Sequence, residues 1–374
     1  MKYILKILLR NLYELIIYTF ASLNSGKEII VFSADGGRRY ADNPRYVFEY
    51  ICSLNSTPVP FWIGDTNKLP STFPKKYADN YVNRYSIRGF LLLATAKYFV
   101  SSHSPYGADL LKLIPKNRSL FVIWHGTPVK KMIPTRPGIH RKLLQSKIIP
   151  TKVFVQCYEE ERILAQNWDM REDVFEITSY PRNIYLKSER KEKNIVVWAP
   201  TFRDGVDQAW LEDKLYPTRD DFIRINNYLL QSDLKLIVKE HPYSNGNSKH
   251  LFDDLGQIDA LSKYSDFNQA LVEARYLITD YSSAVFDFLQ VGGQVGFYVP
   301  DLSWYDSTQG RGLDQCFKII LKEEGEKNFH NCLKKLVNDE QDSIKKLIFS
   351  SYRFPNVTTM GEFYALMKKS MNKL

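Results

Sequence analysis

Cysteine, long apolar runs and the common nucleotide-binding fingerprints are scarce or missing. Only four cysteines occur in 374 residues, and none belongs to a CxxC pair. A disulfide framework or a cysteine zinc site is therefore not expected, and a reducing cytoplasm fits best. No window of about 18 uncharged apolar residues exists, which excludes a multi-pass membrane protein. Neither GxxxxGK[ST] nor GxGxxG is present, so ATPase and NAD-oxidoreductase chemistry lose their main support.

What is present is an ordinary globular composition with a basic charge balance. Hydrophobic residues make up 44% and charged residues 25%, and 51 Lys and Arg against 42 Asp and Glu give a formal charge of +9. The length suggests two domains of roughly 100–200 residues each. The positive charge predicts a polyanionic partner, which could be nucleic acid, an anionic lipid surface or a phosphorylated substrate.

The first segment, MKYILKILLRNLYELIIYTF, combines a charged stripe with a broad apolar surface. Charged side chains recur every four residues at Lys2, Lys6, Arg10 and Glu14, along one side of a predicted helix. The longest apolar run, 15–18, is too short to span a bilayer, and no A-x-A cleavage site follows it. Two interpretations remain open: an in-plane helix at an anionic membrane surface, or a helix docked on its own domain.

Short β-rich runs alternate with helical patterns along most of the chain, which predicts an α/β protein with parallel sheets. The charged stretch 187–193 (KSERKEK) is interpreted as a linker or a solvated turn, so we predict two domains, 1–185 and 186–374, with a cleft at their junction. Ligands of such sheets bind at the carboxyl ends of strands. The main strand candidates are 27–33, 58–63, 97–101, 118–124, 195–198, 234–238, 276–279 and 295–298.

Two histidines directly follow predicted strands. His125 ends the run RSLFVIW and precedes Gly126 and Thr127, and His241 follows LKLIV. An imidazole with an unperturbed pKa near 6.5 suits proton abstraction at neutral pH. Each histidine could instead stabilise its turn or the rim of its domain. Because the same arrangement occurs once in each half, two imidazoles could meet one ligand.

Hydroxyl and guanidinium groups mark further segments. In TDYSSAVFDF (279–288), Ser282 or Ser283 is predicted to start a helix whose free N–H groups bind phosphate, although simple capping needs no ligand. Arg203 in APTFRD and Arg311 in a glycine-flanked loop could each make a forked pyrophosphate contact, or a surface ion pair. The acidic run 159–161 is predicted to be a solvated helix face. No D-x-D pair stands out as a nucleotide–metal site, so neither a metal ion nor another cofactor is required.

The segments WHGTPVKKM, SYPRN, WAPTFRD, KEHP, TDYSSAVFDF, FYVPD and RG stand in the order seen in one family. With them the chain resembles the CDP-glycerol glycerophosphotransferases, the primases and polymerases of wall teichoic acid synthesis, over roughly residues 34–313. The resemblance implies the GT-B architecture, in which two Rossmann-like domains face each other across a cleft. It also implies a peripheral protein on the cytoplasmic face of the membrane. Its reaction would move glycerol phosphate from CDP-glycerol to a lipid-linked saccharide or a growing poly(glycerol phosphate) chain.

The resemblance also implies roles for particular residues. His125 would deprotonate the acceptor hydroxyl, and His241 would lie at the donor diphosphate with the two serines and Arg311. The nucleotide side of the cleft would be lined by the SYPRN and APTFR segments. The substrate-binding candidates are Gly126, Thr127, Arg182, Thr201, Arg203, Asp280, Ser282, Ser283 and Arg311. Two departures from the family pattern are Ser179 and Ile184, which replace the Gly and the final Asp of the usual Gly-x-Pro-Arg-Asn-Asp.

Two other classes of protein remain open on the sequence. A GT-B glycosyltransferase that uses a nucleotide sugar would share the cleft and the phosphate-binding helix end. A non-catalytic basic protein would bind lipid or nucleic acid through its charge, with a steep salt dependence. The lysines are dispersed and no RNA-type aromatic motif occurs, so a nucleic acid partner is not expected. The donor polyol (glycerol or ribitol), the acceptor (teichoic acid or capsule), the number of additions and the oligomeric state stay open.

Overall fold

The computed structural model describes residues 2–103, 117–132, 150–239, 248–260, 267–309, 312–338 and 342–371, with side chains from residue 12 onward except at position 342. These residues form two compact units. The first comprises the described parts of Met1–His125, Pro134–Tyr185 and Thr358–Leu374, and the second those of Gly126–Ile133 and Leu186–Val357. One transition between the units lies between Tyr185 and Leu186, where the sequence analysis sets its single boundary. The described parts of 126–133 and 358–374 belong to the unit on the other side of that boundary.

The first unit is built on a seven-stranded parallel sheet with the strand order β3-β2-β1-β4-β5-β6-β7. Its strands are β1 (Lys27–Phe32), β2 (Val59–Gly64), β3 (Tyr81–Asn83), β4 (Ala96–Ser101), β5 (Ser119–Ile123), β6 (Lys152–Val155) and β7 (Phe175–Ile177). Its helices are α1 (Lys2–Ser22), α2 (Asp42–Leu54), α3 (Ile87–Thr95) and α4 (Tyr158–Trp168). Strand β5 is buried at every position, as expected for a central parallel strand that is covered on both faces.

Helix α5 (Pro181–Glu189) carries the chain from the first unit into the second. It occupies the first part of the charged stretch predicted to be a linker, and β8 begins at Lys193. That stretch is therefore a helix end followed by a short turn. Its charges are tolerated because five of its six charged residues are exposed to solvent, namely Lys187, Glu189, Lys191, Glu192 and Lys193.

The second unit is built on a six-stranded parallel sheet with the order β10-β9-β8-β11-β12-β13. Its strands are β8 (Lys193–Ala199), β9 (Lys235–Val238), β10 (Ile258–Ala260), β11 (Ala274–Thr279), β12 (Gln294–Tyr298) and β13 (Gly325–Glu326). Its helices are α6 (Gln208–Lys214), α7 (Arg219–Gln231), α8 (Phe267–Glu273), α9 (Ala284–Gln290), α10 (Leu302–Thr308), α11 (Gln315–Glu324), α12 (Phe329–Val337) and α13 (Asp342–Ser351). The last helix of the chain, α14 (Met360–Met371), packs in the first unit.

Both sheets have the same topology. Numbered within its own unit, each sheet has strands in the order 3-2-1-4-5-6, with a seventh strand at the edge of the first sheet. This is the Rossmann order, which reverses its direction between strands 1 and 4 and binds ligands at the carboxyl ends of strands there. The two reversal points lie between β1 and β4 and between β8 and β11, so the loops after these strands are the candidate sites.

Helix α1 is docked on its own unit. The rings of Tyr13 and Phe20 lie 6.1 and 5.7 Å from that of Phe90 in α3, and Ile17 and Ala21 are fully buried. The docked interpretation of the first segment therefore holds for the side chains that are described. Among the described residues, no helix is both long and apolar enough to cross a bilayer.

Candidate functional site

His125 lies just beyond the carboxyl end of β5, as the sequence predicted. Its Nδ1 is 3.0 Å from the carbonyl oxygen of Ser102. A carbonyl can only accept a hydrogen bond, so Nδ1 carries the proton and donates it. The other ring nitrogen, Nε2, is then unprotonated and has a lone pair. This tautomer is the one required of a base that uses Nε2.

His103, which was not among the predicted site residues, is a second histidine beside His125 at the carboxyl ends of the strands. Its ring stacks on that of His125 with 4.6 Å between centroids and 26° between planes, and its Nδ1 is 2.9 Å from the Ser102 hydroxyl. The signal that identified His125, a histidine shortly after a predicted strand, also applies to His103 in KYFVSSH. In the folded sheet, β4 and β5 are neighbours, so residues that follow them meet.

The surroundings of His125 favour its neutral form. Burial lowers its pKa below the usual value, and the nearby His103 and Arg182 lower it further, while Asp42 and the hydrogen bond to Ser102 oppose the shift. The net direction is downward. Because a neutral imidazole is the form that accepts a proton, His125 is suited to act as a general base at neutral pH.

Arg182 lies beside His125 in the first unit. Its NH1 group donates to the His125 carbonyl and to Asp42 Oδ1, both at 2.8 Å, and its backbone N–H donates to Asn43 at 3.2 Å. The resemblance placed Arg182 with Thr201 and Arg203 at the nucleotide side. The structure instead groups it with the candidate base, because α5 begins right after the sheet that carries His125.

One acidic side chain contradicts the prediction of a solvated face for residues 159–161. Glu160 is fully buried; it accepts hydrogen bonds from the Gln156 N–H at 2.9 Å and from the Tyr180 hydroxyl. Its carboxylate thus links the start of α4 to the SYPRN segment. The sequence pattern missed this because the burial of a carboxylate depends on donors from distant segments.

In the second unit, Arg203 is the centre of a buried ion network after β8. Its Nε and NH2 groups donate to the two oxygens of Asp301, each at 2.9 Å, and NH1 donates to Asp280 at 2.6 Å. The rings of Tyr281 and Tyr305 cover the guanidinium at 4.9 and 5.0 Å. Burial lowers the pKa of Arg203, but Asp280 and Asp301 outweigh it and raise the pKa above its ordinary value.

This network corrects the forked pyrophosphate contact predicted for Arg203. The side chain is 0% exposed, and carboxylates and aromatic rings occupy both its edges and its faces. Asp280 is equally engaged, since it accepts bonds from the Thr201 N–H and hydroxyl at 2.9 and 2.5 Å. The structure does bring Thr201, Arg203 and Asp280 together, but they contact one another and hold the loops after β8 and β11.

Ser282 and Ser283 lie between β11 and α9, at the reversal point of the second sheet. The helix begins at Ala284, which places Ser283 at the N-cap position that the sequence offered to Ser282 or Ser283. Ser282 Oγ accepts from the Ala284 N–H at 3.3 Å, whereas Ser283 makes no side-chain capping bond. Both serines are partly exposed, so their hydroxyls can be reached by a ligand.

The residues after His125 form a strap in the second unit. Lys130 pairs with Leu313 as an antiparallel bridge, and the Lys131 N–H donates to the Gly312 carbonyl at 3.0 Å. The Lys130 ammonium lies 5.3 Å from the centroid of the Tyr305 ring. Burial lowers the pKa of Lys130, although Asp280 opposes the shift. This pairing joins the WHGTPVKKM motif to the loop that follows Arg311.

Four other predicted site residues have the following positions. Gly126 has a φ of +151°, a conformation that favours glycine, and Thr127 is buried; both belong to the second unit. His241 and Arg311 lie outside the described residues. Within the described ranges, no group of three or more His, Cys, Asp or Glu side chains is placed to hold a metal ion.

Two sheets of Rossmann order, one with His103 after β4 stacked on His125 after β5 and the other with serines at its reversal point, are typical of two-domain enzymes that act on nucleotide-linked substrates. The family model described as CDP-glycerol:poly(glycerophosphate) glycerophosphotransferase matches residues 16–357. The chain belongs to this family. The match selects the glycerophosphotransferase from the three classes of function that the sequence left open.

Curated relatives and a solved structure agree with this placement. The chain is 25% identical to a teichoic acid poly(glycerol phosphate) polymerase of Bacillus spizizenii, over 83% of each protein. It is 26% identical to a teichoic acid glycerol-phosphate transferase of Staphylococcus aureus, over 82% of this chain and 84% of that one. The wall teichoic acid polymerase TagF has a similar fold, with a TM-score of 0.71 and 20% identity over 100% of this chain and 97% of that chain.

Proposed function

We propose that this enzyme takes glycerol phosphate from CDP-glycerol and adds it to the terminal hydroxyl of a lipid-linked saccharide or a growing surface glycan. The observation that carries the proposal is the state of His125, a neutral imidazole whose Nδ1 is held by the Ser102 carbonyl and whose Nε2 is left to accept a proton. The family description and the curated relatives support glycerol phosphate as the transferred group.

In the proposed reaction, Nε2 of His125 takes the proton of the acceptor hydroxyl while the oxygen attacks the glycerol-bearing phosphorus of the donor. The new oxygen–phosphorus bond forms as the bond to the CMP oxygen breaks, and CMP leaves with the electron pair. Alignment and charge neutralisation supply most of the acceleration in such transfers. A positioned general base adds about 10²–10⁴-fold.

We further propose that the enzyme is of the GT-B type, with residues 1–185 mainly serving the acceptor and membrane side and 186–374 mainly binding the nucleotide donor. Ser282 and Ser283 lie at the reversal point of the second sheet, where Rossmann-ordered sheets bind nucleotides. With His241 and Arg311 they are the proposed diphosphate contacts. Thr201, Arg203 and Asp280 position the loops around them.

A CMP-release assay with a synthetic lipid-linked disaccharide tests the reaction. We expect CMP release with CDP-glycerol, and mass spectrometry of the product reports how many units were added. His125→Ala and His241→Ala should each abolish release, whereas His250→Ala, which removes an exposed histidine, should not. Release of UDP from UDP-sugars, or normal turnover in the His125→Ala variant, would contradict the proposal.

We propose that α1 and α3 attach the enzyme to the anionic cytoplasmic membrane surface. Leu12, Ile16 and Phe20 recur every four residues along one face of α1, beside the face that carries the buried Ile17 and Ala21, and Leu23 directly follows the helix. In this region the apolar side chains that are at least 40% exposed are Leu12, Leu15, Ile16, Phe20 and Leu23, with Ile87 and Leu91 of α3. An apolar face on a chain of charge +9 suits insertion among anionic headgroups.

Vesicle sedimentation tests this attachment. We expect binding to vesicles that contain phosphatidylglycerol and weaker binding to vesicles of pure phosphatidylcholine. The Leu12→Ser/Leu15→Ser variant should lose about tenfold or more in affinity for the vesicles, since each leucine buried in the membrane contributes about 1.5–3 kcal/mol. The matched control is Ile223→Ser/Leu230→Ser, which removes exposed apolar side chains from α7. Equal binding of the two variants would refute the role of this face.

A further inference from the structure

A separate cavity of 680 Å³ lies wholly within the second unit. It opens where β12 and β13 end, since Val299 and Lys327 directly follow these strands, and carboxyl ends of parallel strands are where such sheets bind ligands. Its volume lies in the range of small-molecule sites. The lining side chains with polar or aromatic groups are Trp210, Lys214, Asp301, Ser303, Trp304, Asp306, Lys318, Lys322 and Lys327.

We propose that this cavity binds the phosphodiester backbone of a glycerol phosphate polymer. The inference rests on the proposed function, which makes such a polymer the product and the next acceptor. It concerns a different site from the serines and loops assigned to the donor. A polymer held there stays on the enzyme between additions, which raises the effective concentration of its end.

The charge in the cavity favours a polyanion. Of the two acidic residues in the lining, Asp306 is paired with Lys318, and Asp301 shares Arg203 with Asp280. The four lysines of the lining still outnumber its two carboxylates. Among the described residues, Lys214 makes one ion pair, with its exposed neighbour Asp213. Lys322 and Lys327 make no ion pair within the described part of the chain. The lysines come from three separate segments, so they can contact successive phosphates of one flexible chain. A single phosphate could not contact all of them at once.

Two tryptophans give the cavity an apolar surface. The rings of Trp210 and Trp304 lie 4.2 Å apart at 40°, and both are half-buried. The glycerol carbons between phosphates can pack on these indoles. A nucleobase would in addition need both hydrogen-bond donors and hydrogen-bond acceptors opposite its edge. Here the carboxylates are occupied and Ser303 provides a single hydroxyl, so the lining suits a polyol phosphate better than a nucleotide.

These tryptophans also provide a direct measurement. The other four, Trp62, Trp124, Trp168 and Trp198, are at most 7% exposed, so the pair in the cavity dominates any fluorescence change that a ligand causes by contact. Titration with synthetic oligo(glycerol phosphate), without donor, should change the emission saturably. The affinity should fall as salt rises, as for any polyanion bound through lysines.

Matched lysine variants locate the site. Lys322→Gln/Lys327→Gln should weaken oligomer binding about tenfold and raise the KM for long acceptors. Lys345→Gln/Lys346→Gln removes the same charge from exposed positions of α13 and should change neither. The Trp210→Phe/Trp304→Phe variant should lose the fluorescence signal. Equal affinities of the two lysine variants would overturn the proposal.

Two competitors separate this proposal from its alternatives. If inorganic phosphate produced the same fluorescence change with an affinity equal to that of the oligomer, the cavity would be a site for a single anion only. CMP or CDP-glycerol that binds there as tightly would show a nucleotide site, and either result overturns the proposal. Oligomer binding by an enzyme that releases no CMP would reject the proposed reaction and leave this site standing, so the two failures can be told apart.

Discussion

The chemistry of His125 depends on the groups that surround its ring. Ser102 fixes the tautomer, His103 stacks on one face and Trp124 lies 3.9 Å from the ring centroid. Asp42 raises the pKa of His125 and so opposes the net shift, whereas Arg182 lowers the pKa further. A base in such a pocket stays neutral at neutral pH and loses activity only on acidification below its lowered pKa.

The pH profile tests the part that His103 plays. His103 lowers the pKa of His125, so His103→Asn should raise that pKa and move the acid limb of kcat/KM upward, toward the unperturbed value near 6.5. The value of kcat/KM at the alkaline plateau should change little, because the base itself remains. An acid limb that does not move would show that the stacked ring has no influence on the base.

Arg203 illustrates a residue whose contribution is to stability. Arg203→Ala would leave Asp280 and Asp301 buried without their shared cation, which costs about 3–5 kcal/mol of unfolding free energy. Urea unfolding of the variant measures this loss. Arg224→Ala removes an exposed ion pair with Asp221 and should leave the unfolding curve unchanged. A small loss for Arg203→Ala would mean that the carboxylates find other partners.

At the scale of elements, the strap 129–131 against 312–314 lies next to the segment that carries Arg311, one of the proposed donor contacts. The Asp314 N–H donates to the Val129 carbonyl at 2.9 Å, and the Leu313 N–H to Asp306 at 2.9 Å. These bonds fix the segment that follows Arg311. The strap thus ties the lysines of the first motif to the last motif of the family pattern.

Two glycines in left-handed conformations give a matched test of the strap. Gly312 has a φ of +78°, and a Cβ there would lie 2.9 Å from the Asp306 carbonyl oxygen. Gly205 has a φ of +74° and nothing within 4 Å of its Cβ position. Both alanine variants carry the same backbone strain, so Gly312→Ala should raise the KM for CDP-glycerol about tenfold more than Gly205→Ala. Equal KM values would show that the strap does not position the donor.

At the scale of the whole molecule, two units of one topology carry different chemistry. The first has stacked histidines after β4 and β5 and an exposed apolar face on α1 and α3. The second has the serines, the buried ion network and the lysine-rich cavity. This division underlies the proposed roles of the acceptor and donor parts.

Hydrogen exchange tests that division. CDP-glycerol should protect backbone amides most strongly at 199–204 and 280–285, because the loops after β8 and β11 carry the proposed donor contacts. Protection around 101–103 and 124–125 should be smaller, since those residues belong to the proposed acceptor side. Mass spectrometry of peptides from the intact enzyme measures both. If protection were strongest in the first unit, the donor would bind at the first sheet, and the proposed division of roles would be contradicted.

The sequence by itself determined the elements and the family. Apolar runs such as 119–123 and 195–198 are strands because a continuous run of β-branched and aromatic residues is stable when buried on both faces, a property of the local sequence. The order of the short motifs was sufficient to identify glycerophosphotransferases. It also located His125 and the serines, because they directly follow predicted strands or begin a predicted helix.

Only the tertiary structure decided which side chains meet. Arg203 pairs with Asp280 and Asp301, which are 77 and 98 residues away, and His103 reaches His125 because β4 and β5 are adjacent. Such partners depend on the strand order of the sheet, which local patterns do not encode. The burial of Glu160 and of Arg203 followed from the same cause, since a charged group is stable inside a protein only where distant segments supply its partners.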